Sequence, residues 1–211
     1  MLLIDCGGNI FTRIMEKNLL DGVKDLHIIL THLHGDHVGS LGTLIDHSFW
    51  DLGMSPTIYF PIEEDIKTLL RIQGILLEPS ARNGTKQAQC VIHERRFISI
   101  DLFSCRLDHA FHVFPLANKS FGLHMVLDEK LIYYSGDTRH INCLDFLLDG
   151  HYDEVYHDVT TWEYSPVHAP YGLLLKTIPV AFRQKVYLMH LDKDFDYERA
   201  KADGFNVVEC I

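Results

Sequence analysis

A short apolar run, LHIILT at residues 26–31, leads straight into HLHGDHVGS, and no other stretch limits the fold as much. The run has the length and β-branched content of a buried strand. Side chains alternate along a strand, so His32 and His34, two residues apart, can face the same way as the chain leaves it. Gly35 permits a sharp turn. Asp36 and His37 then open a helix expected to run from Asp36 to about Phe49. This spacing offers two neighbouring subsites for divalent cations. Imidazole nitrogens and a carboxylate suit zinc, with manganese or iron as alternatives.

Strands and helices alternate around this centre. MLLID reads as a strand, followed by a helix from an Asn9 cap to about Leu20. TIYFP is a further strand, IEEDIKTLLRI an amphipathic helix, and EPSARNGTKQAQ a polar loop. Residues 97–134 are strand-like, with hairpin turns expected at ANKS and LDEK. A helix over 141–148, strand YDEVYHD, helix 168–178, strand KVYLMH, helix 196–202 and strand FNVVEC complete the pattern. Such alternation around a central block of strands predicts a layered α/β fold with the sheets inside.

The 211 residues suit one domain with a real core. No apolar run approaches the roughly 20 residues of a membrane span, and MLLIDCGG lacks the features of a signal peptide. Five scattered cysteines, an odd number, fit a reducing compartment, so a cytoplasmic location is expected. The net charge of −10 disfavours a grip on long nucleic acid, which needs a basic stripe. Arg82, Lys86, Arg95 and Arg96 form the only modest basic group.

THLHGDHVGSL resembles the signature of the metallo-β-lactamase superfamily, and LLIDCGG, SGDT and VYLMHLD follow that family's order. The resemblance implies an αβ/βα sandwich lacking the usual first two strands, with two zinc ions, or manganese or iron, as cofactors. It places His32, His34 and a third histidine on one metal and Asp36, His37 and His190 on the other. Asp137 is shared, and Asp5 supports the ligand loop from behind. The interval favours His112 as the third histidine, with His109 in reserve and His124 a packed or exposed strand residue. Two metals held this way share a water whose pKa falls from about 16 to about 7, supplying bridging hydroxide at neutral pH.

DVTTWEYSPVHAPYGLLLKTIP resembles the ribonuclease Z-like branch, which implies that His168 protonates the leaving oxygen or holds a phosphate. Asp36 and His168 are thus the catalytic candidates, and Glu163 or Asp158 would orient His168. LLIDCGGNIF, SGDT and VHAPYGLL are similar to the anti-Pycsar phosphodiesterases of phages and their bacterial relatives. That similarity implies hydrolysis of small cyclic nucleotides such as cCMP and cUMP, silencing an antiviral signal. The alternatives are a tRNA 3′-end endoribonuclease and a nucleotide-binding sponge without catalysis. Either a partner subunit completes the sheet edge where the absent strands would stand, which would favour a homodimer, or the sequence is a fragment or begins at a late start codon. Phe111, Phe114, Phe121, Trp162 and Tyr164 are candidates to sandwich a base, though aromatic residues more often build cores.

Overall fold

A computed structural model describes residues 1–80, 84–101, 103–116 and 118–208. Arg82 and the side chain of Phe114 lie outside the described residues. The chain divides into two compact units, Met1–Arg96 and Phe97–Ile211.

The first unit runs β1 (Leu2–Ile4), α1 (Ile10–Glu16), β2 (His27–Ile29), α2 (Gly35–Val38), α3 (Leu41–Trp50), β3 (Thr57–Tyr59), α4 (Glu63–Ile72) and β4 (Val91–His93). Its four strands form one sheet in the order β1-β2-β3-β4, and every neighbouring pair is parallel. Leu26, Ile28, Ile29, Leu30 and Ile58 are buried, as a parallel sheet requires. In α4, Ile66 and Leu70 face the core one turn apart, with Glu63, Glu64 and Asp65 at the positive end of its dipole and Arg71 at the other.

Helix α1 ends at Glu16 rather than near Leu20, and two further sequence expectations need correction. The helix expected from Asp36 to about Phe49 is two helices, α2 and α3, broken at Gly39 and Ser40. The Ser40 N–H donates to the Cys6 carbonyl (3.0 Å) and its hydroxyl to the Gly8 carbonyl (2.8 Å), which turns the chain off its first axis. The second correction is β4, a strand that the sequence reading left out. It is three residues long and sits at the sheet edge with Val91 exposed, so it lacks a buried run.

The second unit runs β5 (Phe97–Ile100), β6 (Phe103–His109), β7 (Phe121–Leu127), β8 (Lys130–Tyr134), α5 (Leu144–Leu148), β9 (Glu154–Asp158), α6 (Tyr171–Thr177), α7 (Val180–Arg183), β10 (Val186–Met189), α8 (Tyr197–Ala202) and β11 (Asn206–Val207). Its sheet has the order β11-β10-β9-β8-β7-β6-β5. Strands β5 to β8 are antiparallel and β8 to β11 parallel. Alternation carries β6, where Phe103, Cys105 and Leu107 are buried, and in β7 Phe121, Leu123 and Met125 are buried together with Gly122. The LDEK turn is a two-residue hairpin with Asp128 (φ 49°) and Glu129 (φ 66°) both left-handed, the geometry whose twist suits paired strands. Of ANKS, Ala117 lies outside the described residues, and the strands that flank it are paired at His109 and Phe121 rather than at a tight turn there. The link from β6 to β7 is a longer excursion with a 3₁₀ turn at Phe114–Leu116, and it carries His112. Leu147, Leu174 and Ala200 pack helices α5, α6 and α8 onto Val155, Val186 and Leu188 of the sheet. The helix expected over 168–178 begins only at Tyr171, after Pro170, which leaves His168 on a loop.

Candidate metal centre

In the first unit the ligand loop grows from the end of β2. The Asp5 carboxylate, just past β1, accepts the Thr31 N–H (2.8 Å) and hydroxyl (2.7 Å), and it also accepts Nδ1 of His37 (2.8 Å). Asp5 has a left-handed backbone (φ 59°), the turn that aims its side chain back at this loop. His32, fully buried, sits with Nε2 at 3.2 Å from Nδ1 of His34, and its ring centroid is 4.0 Å from that of His37. Asp36 is exposed, with an oxygen 3.6 Å from His37 Nε2. His32 and His34 therefore meet as expected, although β2 ends before them and the loop rather than strand alternation brings them together.

The neighbouring glycines hold this loop unequally. A Cβ on Gly7 would lie 1.9 Å from the Asp36 carbonyl oxygen, whereas one on Gly8 would meet open space. Gly7→Ala should therefore displace Asp36 and weaken metal binding about 10- to 100-fold in a chelator competition, while Gly8→Ala leaves it unchanged. Equal affinity in the two variants would show that the loop does not depend on this contact.

The second unit brings His112, Asp137, Asp158, His168 and His190 together. Asp137, on the loop after β8, lies 3.9 Å from His112 Nε2 and 3.6 Å from His190 Nε2. His190 follows β10 with a left-handed backbone (φ 56°), and its Nδ1 lies 3.4 Å from Asp158 Oδ1. The other Asp158 oxygen accepts the Thr138 N–H (2.9 Å) and Nδ1 of His168 (2.7 Å). That hydrogen bond holds the His168 imidazole above its ordinary pKa in spite of partial burial. The His168 ring stacks on His190 at 4.8 Å. Asp158, not Glu163, is thus the acidic partner of His168, since Glu163 is exposed.

Of the three histidines left open for the third ligand, His112 is the one beside Asp137. His109 packs its ring on Phe121. His124 is bound elsewhere, with Nδ1 hydrogen-bonded to the Tyr152 hydroxyl and Nε2 facing Asp108 at 3.1 Å, and burial lowers its pKa. The sequence reading missed Asp192. One of its oxygens accepts the Thr160 hydroxyl (2.9 Å) and the Thr161 N–H (2.6 Å) and hydroxyl (2.7 Å), pinning the start of the His168 loop. The Ser165 hydroxyl pins its end by accepting the His168 N–H (3.0 Å). Paired hydroxyls in DVTT and an acid two residues after His190 are the only sequence traces of this clamp.

The donors fit divalent cations. Ligand atoms of Asp137, Asp158, His168 and His190 all lie within 4.8 Å of one another. The Asp137 and Asp158 carboxylates are buried, and Asp158 Oδ1 has no hydrogen-bond partner among the described residues. Buried carboxylates facing imidazoles call for positive charge, and nitrogen and carboxylate oxygen are donors that zinc and similar metals accept.

Residues 1–210 match the family described as Anti-Pycsar protein Apyc1. An anti-Pycsar protein Apyc1 of Paenibacillus harenae is 26% identical over 233 residues, covering 99% of this chain and 85% of the relative. A ribonuclease Z of Listeria monocytogenes is 31% identical over 132 residues, covering 61% of this chain and 39% of that protein. Among solved structures, the metallo-β-lactamase fold protein YhfI of Bacillus subtilis superposes with a TM-score of 0.67 at 12% identity, covering 98% of this chain and 84% of YhfI. The fold is that of the metallo-β-lactamases.

Proposed function

The chain belongs to the anti-Pycsar Apyc1 family, and from that membership we propose that it is a binuclear metal phosphodiesterase that hydrolyses cyclic nucleotides such as cCMP and cUMP. Family and fold together support a metal-dependent hydrolase. The observation that carries the choice of bond is the Asp158–His168 pair beside Asp137 and His190. An imidazole whose affinity for a proton is raised by a hydrogen bond to a buried carboxylate is suited to give that proton to a departing sugar oxygen.

In this reading His32, His34 and His112 serve one cation and Asp36, His37 and His190 the other, with Asp137 common to both. Bound zinc, or manganese or iron, would supply Lewis-acid polarisation of the phosphodiester and an activated water. Asp36 takes up a proton from the attacking water. His168, oriented by Asp158, delivers a proton to the leaving oxygen. Asp5 fixes His37 through Nδ1 and leaves Nε2 for coordination. The net charge of −10 and the match over nearly the full chain favour a small cyclic nucleotide over long RNA. A homodimer, and silencing of a cyclic-nucleotide defence signal in the cytoplasm, belong to the same proposal. Among the described residues no helix is long and apolar enough to cross a membrane.

Incubation with 3′,5′-cyclic CMP, UMP, AMP and GMP and with a tRNA precursor, with and without chelator, tests the reading. Chelator-sensitive opening of a cyclic nucleotide by protein carrying two metal equivalents is expected. Cleavage of the precursor alone would favour the nuclease, and tight binding without turnover the sponge. Light scattering that finds a monomer would remove the dimer.

A further inference from the structure

The second unit has a divided groove on the flank of its ligand residues. One cavity of about 430 Å³ is lined by His112, Phe111, His140 and Asn142 among others. A second, of about 530 Å³, is lined by Phe111, Arg139, His140 and Leu173. Phe111 and His140 belong to both, so these two rings form the shared wall, edge to face at 5.0 Å. Phe111 is 55% exposed although it adjoins a buried ligand histidine in sequence. Its backbone is nevertheless fixed, because its carbonyl accepts the Thr138 hydroxyl (2.9 Å) and the Arg139 N–H (3.3 Å). A large apolar ring on a fixed backbone at an open groove is costly to leave bare and well placed to receive a flat partner.

The other aromatic candidates do not share this setting. Phe121 is fully buried in the sheet. Trp162 and Tyr164 are exposed on the His168 loop and line neither cavity.

We propose that Phe111, braced by His140, is the platform on which the substrate's base stacks, with Arg139 and Asn142 as the polar groups at its edge. This rests on the phosphodiesterase reading above. A nucleotide whose phosphate is held beside His112 projects its base into the adjoining cavity, whose volume lies within the usual range for small-ligand pockets. Stacking on an aromatic face tolerates either pyrimidine, so discrimination among bases falls to the edge contacts. Arg139, exposed and on the loop that also bears Asp137, presents its guanidinium from a fixed backbone.

The test compares 3′,5′-cyclic CMP with its base-free analogue, methyl riboside 3′,5′-cyclic phosphate. Phe111→Ala should raise KM for cyclic CMP about tenfold with kcat little changed, as loss of one stacking contact implies. It should leave kcat/KM for the base-free analogue within about twofold. Phe111→Leu, which keeps bulk without a π face, should behave like the alanine variant, and Phe111→Tyr should restore KM. Melting temperature and metal content should match the parent in all three. An unchanged KM, or a parallel loss on both substrates, would overturn the proposal while leaving the activity intact. Failure of the unsubstituted protein to open either cyclic phosphate would bring down the activity reading and this inference with it.

Discussion

Asp137→Ala should yield a folded protein with no measurable hydrolysis, a loss of at least about a thousandfold. The Asp137 carboxylate is the common neighbour of His112 and His190, at 3.9 and 3.6 Å from their Nε2 atoms. Removing it takes away the one ligand that both cations would share and leaves two imidazoles facing each other across the gap. The fold should survive, because other groups hold the surrounding loop. The Ser135 hydroxyl accepts the Asp158 N–H (2.9 Å), and the Thr138 N–H donates to the Asp158 carboxylate (2.9 Å). Elemental analysis should find fewer than two equivalents of metal, with circular dichroism unchanged. Turnover within tenfold of the parent would rule out a shared ligand at this position.

His168→Ala should behave differently. Loss of a positioned proton donor costs about 10²- to 10⁴-fold in rate, whereas metal content should stay at that of the parent. The distinction follows from geometry. His168 directs Nδ1 to Asp158 at 2.7 Å, and Asp158 keeps its Thr138 contact when the imidazole is gone. The deficit should shrink with the leaving group's need for a proton. A 4-nitrophenyl phosphodiester, which expels a stable phenolate, should lose far less than a cyclic nucleotide. A variant that sheds metal, or one equally impaired on both substrates, would show that His168 is a ligand and not a proton donor.

Much of the site was legible because its donors sit close together in sequence or at strand ends. HLHGDH after an apolar run announces four of them, and SGDT and the histidine after VYLM stand where parallel strands stop. The third histidine was legible only through the interval of the family resemblance, which favoured His112, because His109, His112 and His124 lie within one strand-rich segment and alternation alone does not say which faces Asp137. Only the excursion after β6, with its 3₁₀ turn at Phe114–Leu116, separates His112 from the strand residues on either side. The partner of His168 was equally hidden, since Asp158 and Glu163 are both acids near it in sequence and burial decides between them. In the fold, the helix break at Ser40 escaped notice because a serine inside an amphipathic run carries no signal unless its carbonyl partners, Cys6 and Gly8, are known. Strand β4 escaped because three half-exposed residues at an edge have neither alternation nor a run.

Three neighbouring parallel strands, β8, β9 and β10, hand over Asp137, Asp158 and His190 at their carboxyl ends. Adjacent strands in any sheet lie about 4.8 Å apart. The spacing of these donors is therefore gauged by backbone amides, which do not depend on side-chain identity. Segments that join the strands, such as those holding Ile141, Asn142 and Leu173, stand outside that gauge. Substitutions there can reshape the groove that they line while the donors beside it keep their spacing.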